Sequence, residues 1–152
     1  MIVRNEQQAL CVAVEMERRA IRVYERALML AADEQVRAGI QEILNDERQH
    51  LRRFSAMKES CPMAEADERM LTQAIAAEML FPGGVMELER AKGLATLQGL
   101  YEFAAESEKT AVENYLDYAS KCSDPAIAEA FVSIASEESI HLAELKKKLE
   151  RV

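Results

Sequence analysis

Tryptophan is absent from the 152 residues, glycine occurs five times, proline three times, and aromatic residues make up 5%. Such a chain is short of the aromatic residues that strands favour, and it has few of the breakers that interrupt helices. Cysteine is also scarce. Cys11, Cys61 and Cys122 are odd in number, widely spaced and without a Cys-x-x-Cys pair, so neither a disulfide framework nor a thiolate metal knuckle is indicated, and reduced thiols are expected. There is no surplus of basic residues: the formal net charge is -8 and the pI about 4.9, which excludes the clustered basic surface that nucleic acid requires. No run approaches the roughly 20 apolar residues of a membrane span, and the first residues, Met1 to Gln8, contain no apolar stretch long enough for a signal peptide. The expectation is a protein without membrane segments, located in the cytoplasm.

What is abundant is Ala, Leu, Glu, Met and Arg, a helix-forming mixture. A chain of this length fits one domain, residues 1–152, and buries roughly 70% of the surface its unfolded form exposes, so a core can form without the help of a metal. Leu10, Ala13, Ala20, Ile21, Tyr24, Ala27, Leu28 and Ala31 recur at helical spacing. Asp33 can cap a second helix carrying Val36, Ile40, Ile43, Leu44, Leu51 and Phe54. From Ser55 to about Gly93 the pattern weakens around Cys61-Pro62 and Phe81-Pro82-Gly83-Gly84, with one short helix expected from Ala64 to Met79. A third long helix carries Leu97, Tyr101, Ala104, Ala111, Val112, Tyr115 and Ala119, and Asp124-Pro125 opens a fourth lined by Ile127, Phe131, Ile134, Leu142, Leu145 and Leu149. The fold class is all-α: an antiparallel four-helix bundle with a long crossover between helices two and three, each main helix roughly 40 Å long.

The two hairpins are an internal repeat. Adding 91 takes Ala13 to Ala104, Glu17 to Glu108, Ala20 to Ala111, Tyr24 to Tyr115, Asp33 to Asp124, Glu47 to Glu138 and His50 to His141, with no gap. Bundle geometry explains the repeated small and apolar positions; it does not ask for the same Glu, Tyr and His twice.

The chain has two histidines, and each follows a glutamate by three positions, in Glu47-Arg-Gln-His50 and Glu138-Ser-Ile-His141. With 22 glutamates in the chain, chance would place both in this way only about once in fifty. The i, i+3 spacing puts carboxylate and imidazole on one helical face, and in both helices that face continues the apolar stripe. On helix one, Glu17 lies in register with Ala13, Ala20, Ile21 and Tyr24, whereas Glu15 shares its side with Arg18, Arg19, Arg22 and Arg26. On helix three, Glu108 is in register with Ala104, Ala111 and Tyr115, and Glu106 falls among polar residues. Glu17 and Glu108 are therefore read as inward, Glu15 and Glu106 as outward. Four inward carboxylates cannot stay ionised in a bundle without compensation. Their formal charge of -4 is cancelled by two divalent cations, and the candidate metal ligands are Glu17, Glu47, His50, Glu108, Glu138 and His141.

One Glu from each of two helices, with Glu-x-x-His from each of the other two, is the donor set of di-iron and di-manganese carboxylate bundles. Over residues 9 to 150 the sequence resembles the rubrerythrin and bacterioferritin branch of the ferritin-like superfamily, through Glu17 with Tyr24 seven residues later, Glu47-x-x-His50, Glu108 with Tyr115, and Glu138-x-x-His141. The resemblance implies two iron ions on these Glu and His residues, manganese or zinc being alternatives. It also implies that Tyr24 and Tyr115 hydrogen-bond within the site, although the residues alone are equally consistent with ordinary core tyrosines. The implied activity is that of an oxidoreductase in which Fe(II) reacts with dioxygen or hydrogen peroxide. The alternative is an iron-binding, storage or delivery protein that does not turn over.

Four departures narrow the expectation. Ala105 stands where peroxidase-type rubrerythrins carry an extra carboxylate, and the Cys-rich rubredoxin-like domain is missing, so any reductant is expected to be a separate electron-donor protein. Arg48 replaces the haem-binding Met of bacterioferritin, and no haem is expected. Only eleven residues follow His141, too few for the C-terminal helix of cage-forming ferritins. Val12, Met16, Val23 and Leu30 form a weaker apolar stripe on helix one that could pack beneath the crossover or against a second copy. The second reading is favoured, and with it a homodimer.

Overall fold

The structure, a computed structural model, describes residues 3–79 and 87–152. Four long helices, α1 (Glu6–Leu30), α2 (Glu34–Ser60), α5 (Leu97–Lys121) and α6 (Pro125–Leu149), form two antiparallel hairpins, with α3 (Glu65–Met79) and α4 (Glu87–Gly93) between them. Adding 91 to the bounds of α1 gives those of α5, so the sequence repeat is a structural one.

The helix starts are set by side-chain caps that satisfy otherwise orphaned amide donors. Asp33 accepts from the amides of Gln35 and Val36, and Asp124 accepts from that of Ala126, with Pro125 in the first turn where its missing N–H is harmless. Asn5 and Thr96, not singled out in the sequence, cap α1 and α5 through Gln8 and Gly99. Helix α2 continues to Ser60, beyond the point where the apolar pattern weakens. Phe54 is fully buried and Met57 still packs on the core, and the helix stops just before Pro62, whose ring disfavours helical backbone in the preceding residue.

The direction of each helix follows from contacts at one end of the bundle. Ser123, just beyond α5, hydrogen-bonds to Glu6 at the start of α1, and Gln7 donates to the carbonyl of Pro62, just beyond α2. Both α2 and α5 therefore end where α1 begins, and they run parallel. A parallel pair cannot be joined by a tight turn, so the chain returns along the bundle between them. The expected α3 forms. Helix α4 is an addition, too short to show periodicity, held by Ala91 and Leu94 in the core of α1 and α2. The expected break at Phe81-Pro82-Gly83-Gly84 lies outside the described residues.

This return corrects the reading of the weaker stripe on α1. Val12 is buried in a cluster with Ile75 of α3, and Val23 is buried in another with Ala91 and Leu94. Met16 packs on the first cluster, and only Leu30 remains exposed. The crossover, not a second copy, covers this face, which is why α1 is apolar on more than one side.

At the junction of α4 and α5, a Cβ on Gly99 would lie 2.2 Å from the carbonyl oxygen of Gly93. Backbone cannot yield as a side-chain tip does. Gly99→Ala should destabilise the chain by about 1–3 kcal/mol through this overlap, read as a lower urea midpoint with an unchanged slope. An unaltered midpoint would show that the junction is looser than described.

Candidate metal centre

Helix bounds place the candidate residues at one level. Glu17, Glu47, Glu108 and Glu138 each lie within one residue of the midpoint of α1, α2, α5 and α6 respectively. The level divides the apolar core in two. On one side Phe54, Tyr115, Phe131 and Ile134 pack together, on the other Ile21, Tyr24, Ile40 and Leu44, and Leu51 touches both clusters. A polar layer thus lies between two apolar ones.

All four glutamates and His50 are buried, and His141 is partly exposed. Among the described residues, two groups could each hold a metal ion: Glu17, Glu47 and His50 from the first hairpin, and Glu108, Glu138 and His141 from the second, with the candidate donor atoms of each group within 4.8 Å of one another. All six residues expected from the sequence are therefore brought together. Glu15 instead pairs with Arg18 at 3.0 Å, and Glu106 is exposed. The two groups adjoin: His50 Nδ1 lies 2.7 Å from Glu138 Oε1 and 3.9 Å from Glu17 Oε1, and the imidazole rings of His50 and His141 stack with centroids 6.3 Å apart.

The polar atoms fit a cation better than they fit one another. Glu17 Oε2, His50 Nδ1, Glu108 Oε2 and Glu138 Oε1 are buried without a hydrogen-bond partner. His50 Nδ1 and Glu138 Oε1 are close, yet their approach lacks hydrogen-bond geometry. Ligand-type atoms that converge at such a separation resemble the edge of a coordination shell, because donors each about 2.1 Å from one cation sit about 3 Å apart. Carboxylates and imidazoles suit iron, zinc or manganese, and no thiolate is present to favour softer chemistry.

The electrostatics of the layer follow from its burial and from the carboxylates it gathers. Burial pushes the Glu47 carboxyl well above its ordinary range, reinforced by the charge of Glu17 and by a hydrogen bond with it. Glu138 is raised mainly by burial, His50 opposing the rise. Burial by itself would lower His50, but Glu138, Glu17 and Glu137 outweigh it and the imidazole is raised.

The two tyrosines are partnered differently. Tyr115 donates from its hydroxyl to Glu17 Oε1 at 2.6 Å, whereas Tyr24 is hydrogen-bonded with Ser107. Both phenols are held well above their ordinary pKa, first by burial and then by the nearest glutamate, Glu17 for Tyr115 and Glu47 for Tyr24. Tyr115 stays protonated and keeps its bond to Glu17.

Two residues were missed in the sequence. His50 Nε2 faces Glu137 Oε2 at 3.5 Å, and His141 Nε2 faces Asp46 Oδ2 at 3.6 Å. Each imidazole therefore turns its outer nitrogen towards an acid from the opposite hairpin, an arrangement that favours the proton on Nε2 and leaves Nδ1 free to bind. Arg53 in turn holds Glu137. The signal was present: 46 plus 91 is 137, and each acid immediately precedes the glutamate of a Glu-x-x-His pair.

Residues 5–151 match the family described as ferritin-like domain. The chain belongs to the ferritin-like family. No curated protein and no solved structure matches it. The ferritin-like bundle accounts for the paired hairpins and the lengthwise crossover. None of its helices among the described residues is long and apolar enough to cross a membrane.

The raised pKa values of Glu47, Glu138 and His50 have one sign of consequence. A group whose folded pKa exceeds its unfolded value binds more protons when folded, so its contribution is complete below the unfolded pKa and is lost as pH rises through the folded one. For the glutamates that loss begins near 4.5, the ordinary value. The metal-free chain should therefore melt at falling temperature as pH rises from that point towards neutrality. A cation at a hundred times its dissociation constant restores about 2.7 kcal/mol. Thermal melts of chelated and metal-loaded protein should separate near pH 7 and converge on acidification. Coincident melts at every pH would contradict a buried carboxylate layer.

Proposed function

We propose that this ferritin-like protein is a di-iron carboxylate oxidoreductase of the rubrerythrin and bacterioferritin kind, reacting Fe(II) with dioxygen or hydrogen peroxide. The observation that carries the reading is the layer of four buried glutamates and two histidines whose ligand atoms, several of them without a hydrogen-bond partner, converge in two adjoining groups. Two bound Fe(II) ions would supply the two electrons that reduce dioxygen to hydrogen peroxide, or hydrogen peroxide to water.

The chain's own residues prepare the site for this. Tyr115 fixes one oxygen of Glu17 and leaves Oε2 free. Asp46 and Glu137 aim the imidazoles, and Glu138 reaches from the second group to His50 of the first. The apolar layers above and below shield the buried glutamates and His50 from bulk water. The three free thiols suit a reducing, cytoplasmic setting.

One observation favours a second reading, an iron-storage or delivery role. The side chain of His141 is 26% exposed and that of Asp46 39%, so the second group opens towards solvent while His50 is shut in. Repeated oxidation of Fe(II) by substoichiometric protein supports the oxidoreductase; a single stoichiometric oxidation supports storage or delivery; redox-silent zinc in protein from an iron-replete source contradicts both.

The residue assignment has its own test. Glu17→Ala and Glu108→Ala should reduce metal content, while Glu15→Ala and Glu106→Ala should leave it near two ions per chain. His50→Ala and His141→Ala should each weaken one ion more than the other, by roughly 10- to 100-fold if each imidazole serves its own metal. Metal analysis after dialysis reads all six variants, and the reverse pattern among the glutamates would show that the wrong helical face had been chosen.

A further inference from the structure

The internal repeat supplies a comparison for every surface position of the bundle. On the outer face of α6, Val132 is 45% and Ile140 59% exposed, and Leu116 on α5 is 48% exposed. Their counterparts on the first hairpin, 91 residues earlier, are Gln41, Gln49 and Glu25. Ser136 and Ala143, also exposed, correspond to Asn45 and Arg52. The two hairpins share one backbone plan, so bundle geometry does not account for an outer stripe that is polar on α2 and apolar on α6. On α2 the stripe satisfies itself, Gln41 donating to Asn45. On α6 nothing among the described residues covers it.

The α6 stripe is self-complementary. Glu129, Val132, Ser136, Ile140, Ala143 and Lys147 share one face and are all exposed. Val132 and Ile140 lie four residues to either side of Ser136, and Glu129 and Ala143 lie seven to either side. We propose that α6 packs antiparallel against α6 of a second copy of this chain, about a two-fold axis at Ser136. Val132 then meets the partner's Ile140, and the small Ser136 and Ala143 let the helices approach closely. The charges are complementary in this orientation alone. Glu129 lies beside the partner's Ala143, one turn from the partner's Lys147, and both long side chains lean towards their own N-termini and hence towards each other. A parallel pairing would set Glu129 against Glu129 and Lys147 against Lys147.

A seam of one helix is smaller than the roughly 800 Å² per partner of a standard interface, so a weak, concentration-dependent dimer is expected. The proposal is independent of the metal centre, whose side chains point the other way. Sedimentation velocity of the full chain from about 1 to 100 µM should show a concentration-dependent dimer. Val132→Glu and Ile140→Glu should each weaken it at least roughly tenfold, while Gln41→Glu and Gln49→Glu on α2 leave it unchanged. Ser136→Cys, on the axis, should gain a disulfide-linked dimer on mild oxidation that the parent chain does not form. A chain that stays monomeric throughout overturns the proposal. So does a dimer that survives both glutamate substitutions, or one that Ser136→Cys fails to cross-link.

Discussion

Four carboxylates at one height in the middle of a helical bundle form an arrangement that cannot stand by itself. Each of Glu17, Glu47, Glu108 and Glu138 is buried, and like charges so placed repel in a medium that screens them poorly. Two consequences follow for its protons. Protons are held on Glu47 and Glu138 beyond the usual range, and His50 is made more basic by the acids around it. Neither gives partners to Glu17 Oε2, His50 Nδ1, Glu108 Oε2 and Glu138 Oε1, the atoms that cations would engage. The apolar clusters on both sides make the layer costly, and they also make it selective, since a hydrated surface cluster of the same residues would bind weakly and without order.

Much of this was legible in the sequence because the chemistry violated the pattern around it. Glu47, His50, Glu138 and His141 interrupt apolar stripes, and a polar residue on a core stripe stands out against a helical period. Glu17 was separable from Glu15 for the same reason. Asp46 and Glu137 were not noticed because each occupies a flank of its helix, where an acid is unremarkable until the facing imidazole is seen. The repeat relates them all the same, since Asp46 and Glu137 are acids 91 residues apart.

Other features depend on contacts that no local pattern encodes. The apolar side of α1 formed by Val12 and Val23 reads equally as a contact with the crossover or with a second copy, and only the path of the returning chain decides between them. Tyr24 and Tyr115 are equivalent in sequence, yet one bonds to Ser107 and the other to Glu17. The unequal exposure of His50 and His141 likewise has no sequence signature, although it makes the two halves of a repeated site chemically different.

The division of the candidate ligands between the hairpins bears on how the chain reaches its native state. Glu17, Glu47 and His50 belong wholly to the first hairpin, and Glu108, Glu138 and His141 wholly to the second. Each hairpin is assembled from contacts close in sequence, the kind that form early. The repulsion between the two sets is then met only when the hairpins dock, a late step that also draws the crossover along the bundle. Cations present during docking would lower that barrier as well as stabilise its product, so the speed of folding, and not only its end point, should respond to the metal supply.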